Sequence, residues 1–176
     1  MRPGSLPRAK GGRRTGGAGI GVPGLEDHTI IPTRRGYIRQ ALEKIEVFSS
    51  VFPELLDDVA AEFRSADAAP GEAVVRQNDP GDQLFIVESG ELEATAVIGN
   101  RTVKLGQLKP GDFFGEFALL KGSKRTATVT ALTPVRLWTL SAKSLNELCA
   151  KSPALAANIR NVMRKRELAN AFKALQ

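Results

Sequence analysis

Between Ala69 and Leu140 the chain is cut into short apolar runs by closely spaced turn signals, and this punctuation limits the fold more than any other feature. The signals are Pro70-Gly71, Asn78-Asp79-Pro80-Gly81-Asp82, Ser89-Gly90, Gly99-Asn100 and Pro110-Gly111-Asp112. Each combines residues that accept positive φ, preset φ or bond their own backbone. The runs between them read as strands: Ala73 to Gln77, then an apolar Gln83 to Glu88 suited to a buried strand. Glu91 to Ile98 alternates at Leu92, Ala94, Ala96 and Ile98, and Arg101 to Leu108 at Val103, Leu105 and Leu108. Thr126 to Ala131 and Val135 to Leu140 follow. Seven or eight short strands with regular turns predict a barrel or jelly roll, over residues 69–140.

Helical patterns flank this region. Tyr37 to Val47 places Ile38, Leu42 and Ile45 on one face; Pro53 opens a second helix carrying Leu55, Leu56, Val59 and Phe63. Residues 34–68 are therefore expected to be an N-terminal helical segment. After the strands, Ser141 is placed as an N-cap for a helix with Leu145, Leu148 and Cys149 on one side. Pro153 opens a last helix to Leu175, with Leu155, Ile159, Val162, Met163, Leu168, Phe172 and Leu175 as its apolar stripe. Arg164-Lys165-Arg166 reads as a solvated face within it, and Cys149 as a core residue.

Charge is unevenly placed. Of 25 Lys and Arg and 19 Asp and Glu, seven bases and two acids precede Gly36, leaving 18 bases against 17 acids. The net +6 belongs to the tail, so a nearly neutral folded part argues against a nucleic-acid-binding domain. Residues 1–33 are rich in Gly, Pro and Arg and are expected to be a disordered basic tail. No run of eighteen apolar residues predicts a membrane span, and no apolar h-region predicts a secretory signal. A single cysteine excludes an intramolecular disulfide and suits a reducing, cytoplasmic setting.

The chemistry concentrates in Phe113 to Ala131, after the Pro110-Gly111-Asp112 turn. One carboxylate, Glu116, and one guanidinium, Arg125, stand among small and apolar residues. Gly115 leads into Glu116-Phe117-Ala118-Leu119-Leu120, good helix formers whose first free N–H groups suit an anion. Arg125 can add a bidentate contact to the same anion, while Glu116 can accept from sugar hydroxyls. One anion, one sugar and an apolar surround describe a nucleotide with few charges. The alternative is a structural Glu116–Arg125 ion pair.

Phe114-Gly115-Glu116-Phe117-Ala118-Leu119-Leu120, then Arg125-Thr126-Ala127-Thr128-Val129, resembles the phosphate-binding cassette of cyclic nucleotide-binding domains. Phe117 departs from it, since the family more often carries an aliphatic there. The turns Asp79-Pro80-Gly81-Asp82 and Ser89-Gly90-Glu91-Leu92 resemble the family's barrel, so the likeness runs from about Tyr37 to the end. It is greatest to the domains of cGMP- and cAMP-dependent protein kinases and their regulatory subunits. The resemblance implies an α+β fold: an eight-stranded antiparallel jelly roll with a short cassette helix, flanked by N-terminal helices and two C-terminal hinge or lid helices over residues 141–176. It implies that Gly115, Glu116, Phe117, Ala118, Arg125, Thr126 and Ala127 bind the cyclic nucleotide, cGMP or cAMP, with no other cofactor and no metal. It also implies that the last helix closes over the base, with Leu168 or Phe172 stacking on it. Thr126 resembles the hydroxyl that cGMP-dependent kinases place at this point, which tilts the expectation slightly towards cGMP.

Arg34-Arg35-Gly36-Tyr37-Ile38 resembles the R-R-G-A-I inhibitory segment of kinase regulatory subunits, with Tyr37 in place of the small residue. The simpler reading is two arginines at the start of a helix. The expected function is a regulatory sensor acting through its flanking helices, with a protein kinase catalytic domain as partner. Competing readings are a degenerate domain kept for protein contacts and a catabolite-activator-like transcription regulator, of which only the long helix is present. A channel's cytosolic domain is disfavoured by the start at Met1 and the lack of a span. A cupin-like enzyme needs a histidine-rich metal site, and the sole histidine, His28, lies in the tail.

Overall fold

The computed structural model describes residues 34–122 and 124–176, without the side chains of Leu120 and Lys121. The disordered-tail expectation and His28 lie outside the described residues. Helix α1 (Arg34–Glu43), a 3-10 turn (Glu46–Phe48) and α2 (Pro53–Glu62) come first. Eight strands follow: β1 (Arg64–Ala68), β2 (Ala73–Val75), β3 (Gln83–Ser89), β4 (Leu92–Ile98), β5 (Arg101–Leu108), β6 (Phe113–Phe114), β7 (Thr128–Ala131) and β8 (Val135–Ser141). The short α3 (Glu116–Lys121) sits between β6 and β7, and α4 (Ala142–Lys151) and α5 (Pro153–Ala174) close the chain. The strands form two antiparallel sheets, ordered β1-β8-β3-β6 and β2-β7-β4-β5.

The continuous apolar run of β3 has a direct cause: both faces of the strand are covered. Phe85 and Val87 join the core between the sheets, with Leu92, Phe114, Val129 and Leu137. Leu84 and Ile86 point the other way, into a second core with Trp138, Leu140 and the helices. Period-two alternation thus sorts one strand between two cores. The pair Phe113 and Phe114 divides the same way, and Phe114 stacks on Phe85 at 5.0 Å.

The helices pack on the outer face of the first sheet. Ile38, Leu42, Leu56, Phe63, Leu145, Leu148, Leu155 and Ile159 are all buried there. Ser152 joins α4 to α5: its N–H donates to Leu148 O at 2.8 Å, and its buried Oγ accepts from Leu155 N at 3.4 Å. One residue ends one helix and caps the next, and Pro153 takes the N1 position that tolerates it.

The segment Arg34 to Ile38 is folded into α1. Ile38 is buried, Arg34 donates to Ser65 Oγ at 3.0 Å, and Arg35 donates to Asp57 O at 2.7 Å. Its arginines are helix-bound to α2 and β1, so in this structure it is the start of a helix and not an extended inhibitory segment. β1 lies before the expected roll boundary at residue 69, because the polar Arg64-Ser65-Ala66-Asp67-Ala68 pairs with β8 alone at a sheet edge.

Candidate functional site

The cassette folds as a strand, a glycine and a single helical turn and a half. Gly115 has φ +95°, and a Cβ there would stand 2.5 Å from Arg125 Nη1 and 2.8 Å from Gln83 O. Glycine is therefore required twice, for the left-handed backbone and for the close approach of the guanidinium.

Arg125 is buried and rigidly held. Its Nη1 donates to Gly115 O at 3.0 Å and its Nη2 to Gln83 O at 2.9 Å. Its Cζ lies 5.6 Å from the centre of the Phe85 ring. Behind it, Arg125 N donates to Asp79 O and Asn78 N donates to Arg125 O, both at 2.8 Å. Gly81 lies so near that a Cβ would meet Arg125 Nε at 2.5 Å. The Asn78 to Asp82 cluster is thus more than a turn: it forms the wall against which the arginine is set. Burial lowers the guanidinium's pKa, opposed by Asp82 and Glu116, and it stays a cation at neutral pH.

Glu116 is 1% exposed. It does not bond Arg125. Its Oε1 accepts from Arg166 Nη1 at 2.6 Å, while Oε2 is buried without a hydrogen-bond partner. Burial pushes its carboxyl above the ordinary carboxylate range, against the pull of Arg166, of its own backbone N–H and then of Arg125. Arg166 also donates through Nη2 to Phe113 O at 2.7 Å and lies 4.7 Å from the Phe113 ring centre. The alternative of a structural Glu116–Arg125 pair is not what forms: the partner of Glu116 reaches in from α5.

All seven expected cassette residues line one cavity of about 240 Å³: Gly115, Glu116, Phe117, Ala118, Arg125, Thr126 and Ala127. Its remaining walls are largely apolar, with Val75 and Leu105 from the two edge strands of the second sheet and Ala94 from a strand between them. Thr126 is exposed at the mouth, between this cavity and a second hollow that reaches Ala96 and Ile98.

The helix side of the cavity differs from expectation. Leu168 and Phe172 are 68% and 65% exposed and do not line it. Arg166 and Asn170 occupy that side, and Lys173 donates to Leu105 O further along. The reason is helix phase. Leu155, Ile159 and Met163 are the buried seam of α5, and steps of three and four carry that face to residues 166, 170 and 173. Leu168 and Phe172 fall on the far side. Following the phase of the seam, in place of hydrophobicity, finds Arg166 and Asn170 in the sequence.

Among the described residues no group of three His, Cys, Asp or Glu could hold a metal ion, and no helix is long and apolar enough to cross a membrane.

Residues 67–152 match the cyclic nucleotide-binding domain family. A cyclic nucleotide-gated potassium channel of Mesorhizobium japonicum is 32% identical, over 95% of this chain and 49% of the channel. A cGMP-dependent protein kinase of Caenorhabditis briggsae is 34% identical, over 66% of this chain and 15% of the kinase. The regulatory domain of Toxoplasma gondii PKA, crystallised with cAMP, superposes with a TM-score of 0.69 at 26% identity, over 74% of this chain and 50% of that one. The chain spans about half or less of the length of these curated relatives. Fold, cassette and sequence agree, and residues 67–152 belong to the cyclic nucleotide-binding domain family.

Proposed function

We propose that the chain binds a cyclic purine nucleotide, cGMP or cAMP, in the cavity under α5, and passes its occupancy to an effector through that helix. One observation carries the reading. Glu116 is buried with one oxygen held by Arg166 and the other unbonded, in an apolar cavity that also holds the buried cation Arg125. A buried carboxylate oxygen without a donor is costly, and a ligand hydroxyl removes that cost. The ribose 2′-hydroxyl supplies such a donor, and the cyclic phosphodiester supplies the single negative charge that Arg125 faces.

The mechanism of transmission follows from Arg166. It is the only α5 side chain bonded to Glu116 among the described residues. A hydroxyl on Oε2 shares the carboxylate with Arg166 and alters how firmly α5 is held. Two arrangements of α5 with different nucleotide affinity are sufficient for a switch. The proposed effector is a protein kinase catalytic domain, supported by relatives named as regulatory subunits of cAMP-dependent protein kinase. The chain is proposed to regulate and not to catalyse. A channel is the second effector class, supported by the match over 95% of the chain.

Thermal shift with cAMP, cGMP, 5′-AMP and 5′-GMP tests the reading. Stabilisation grows as RT ln(1 + [L]/Kd), so only the cyclic nucleotides should raise Tm at equal concentration. Equal shifts from the acyclic nucleotides, or no shift from any, would overturn it.

A further inference from the structure

The near neutrality of the chain from Gly36 onward hides a division. Of its 18 bases and 17 acids, residues 94–111 hold three bases and no acid, and residues 160–176 hold five bases and one acid. Ten bases against sixteen acids are left for everything else. The two basic stretches are neighbours in space. β5 packs on α5, Lys173 donates to Leu105 O, and Ile98 of the β4–β5 hairpin lines one hollow with Glu167 and Asn170 of α5. One side of the folded part is therefore cationic while the remainder is anionic. Arg101, Lys109, Arg160, Arg164 and Lys165 are exposed there without a carboxylate partner among the described residues.

The same side carries exposed apolar residues. Leu168, Phe172 and Leu175 are 68%, 65% and 86% exposed. At about 100° per residue they fall in one arc of about 60° on the outward face of the last helix, with Arg164 on one flank and Lys165 on the other. On the hairpin, Val97 is 56% exposed, next to Ile98, which pairs with Arg101. The Gln77 amide clamps the Val97 backbone from both ends, at 3.1 and 2.7 Å, so the tip is presented with little left to order. Single exposed apolar residues are ordinary; two groups of them on the one cationic side mark an interaction surface.

We propose that this side docks on an anionic lipid surface: Leu168, Phe172, Leu175 and Val97 enter the headgroup boundary, and Arg101, Arg164 and Lys165 meet the lipid phosphates. α5 lies on the surface and does not cross it, because its other face is held by the fold. A bilayer takes up apolar groups from two separate elements without a matching groove, which a protein partner would have to supply. Nucleic acid would satisfy the bases but leave Phe172 and its neighbours in water. The inference makes no use of the nucleotide cavity.

The test is co-sedimentation of the full chain with phosphatidylcholine vesicles, with and without phosphatidylserine. Binding is expected only with phosphatidylserine and should fall with added salt. Leu168→Gln with Phe172→Gln should weaken it about tenfold, and Arg164→Gln with Lys165→Gln by a similar factor. All four side chains are exposed, so both variants should melt like wild type. The basic residues before Gly36 are common to every variant, so the differences report the α5 face alone. Phe172→Trp gives a local reading: its emission should move to the blue on phosphatidylserine vesicles. No binding, equal binding to pure phosphatidylcholine, variants that bind like wild type, or an unmoved emission overturns the proposal. So does a dimer in light scattering that Leu168→Gln with Phe172→Gln breaks in the absence of vesicle binding, which would give the stripe to a second copy of the chain.

Discussion

The two ends of the cavity are built on different principles. At the arginine end, Gly115 and Arg125 come from one short stretch, and the charge is locked by backbone: carbonyls of Gly115 and Gln83 fix Arg125, and the Asn78-Asp79 turn pins its main chain. The helix end comes from residues some fifty positions later, held by side chains alone. The apolar seam of α5 ends at Met163; beyond it, Arg166 and Lys173 tie the helix to the barrel. A rigid end suits affinity, because little order is lost on binding. An end clasped by a few polar contacts suits signalling, because a small free energy can open it.

The largest effect should fall on the rigid end. Arg125→Ala is expected to weaken cyclic nucleotide binding ten- to a hundred-fold or more in calorimetry, by loss of a charge-assisted contact. Wild-type affinity would remove Arg125 from the anion site.

Gly115→Ala comes next. Its Cβ would press on Arg125 Nη1 and Gln83 O at φ +95°, so both stability and affinity should drop, stability by about 1–3 kcal/mol. Denaturant melts and binding on one sample check this; a drop in stability with unchanged affinity would show that Arg125 does not depend on the glycine.

Glu116→Gln should cost about tenfold in affinity for a ribonucleotide and little for its 2′-deoxy analogue. It also tests the pH dependence. Burial raises the folded-state pKa of Glu116 above its unfolded value, so its contribution is fullest below the unfolded value and is lost as pH rises through the folded one. The unliganded Tm should therefore carry a fall on the alkaline side of the ordinary carboxylate range that Glu116→Gln removes. A fall that survives the substitution belongs to another group.

Arg166→Met addresses the clasp. Amides of residues 166–174 should exchange faster with solvent while those of 153–163 stay as they are. The Glu116 carboxyl should titrate still higher, since its strongest opposing charge is gone. Uniform exchange along α5 would erase the distinction between the two ends. The smallest effect is expected at Phe172→Ser, within about 0.5 kcal/mol of wild-type stability and with unchanged affinity, because the ring points outward. A large affinity loss there would restore the stacking role that the sequence suggests.

The arginine end is legible because local sequence makes it. Its residues sit within one short stretch, where glycine, acid and arginine spacing is a direct record of geometry. The turn cluster at Asn78 to Asp82 was legible as a turn, but its service as a wall behind Arg125 depends on pairing across the sheets. The helix end differs from the expectation for a physical reason. Apolar content drew attention to Leu168 and Phe172, whereas the buried seam at Leu155, Ile159 and Met163 had already fixed which face turns inward. Arg166, a charged residue between other charges, carried no sign of burial by itself. β1 was missed because an edge strand with one partner needs little apolar alternation.

The end of the buried seam at Met163 has a mechanical consequence. Past it α5 runs on to Ala174, about 16 Å of stiff rod. A rotation of roughly 10° about that point would carry the tip by roughly 3 Å, two residues of helical rise. Releasing one guanidinium close to the pivot can thus deliver, at the tip, a displacement as long as a hydrogen bond, and the chain gains amplitude from leverage alone.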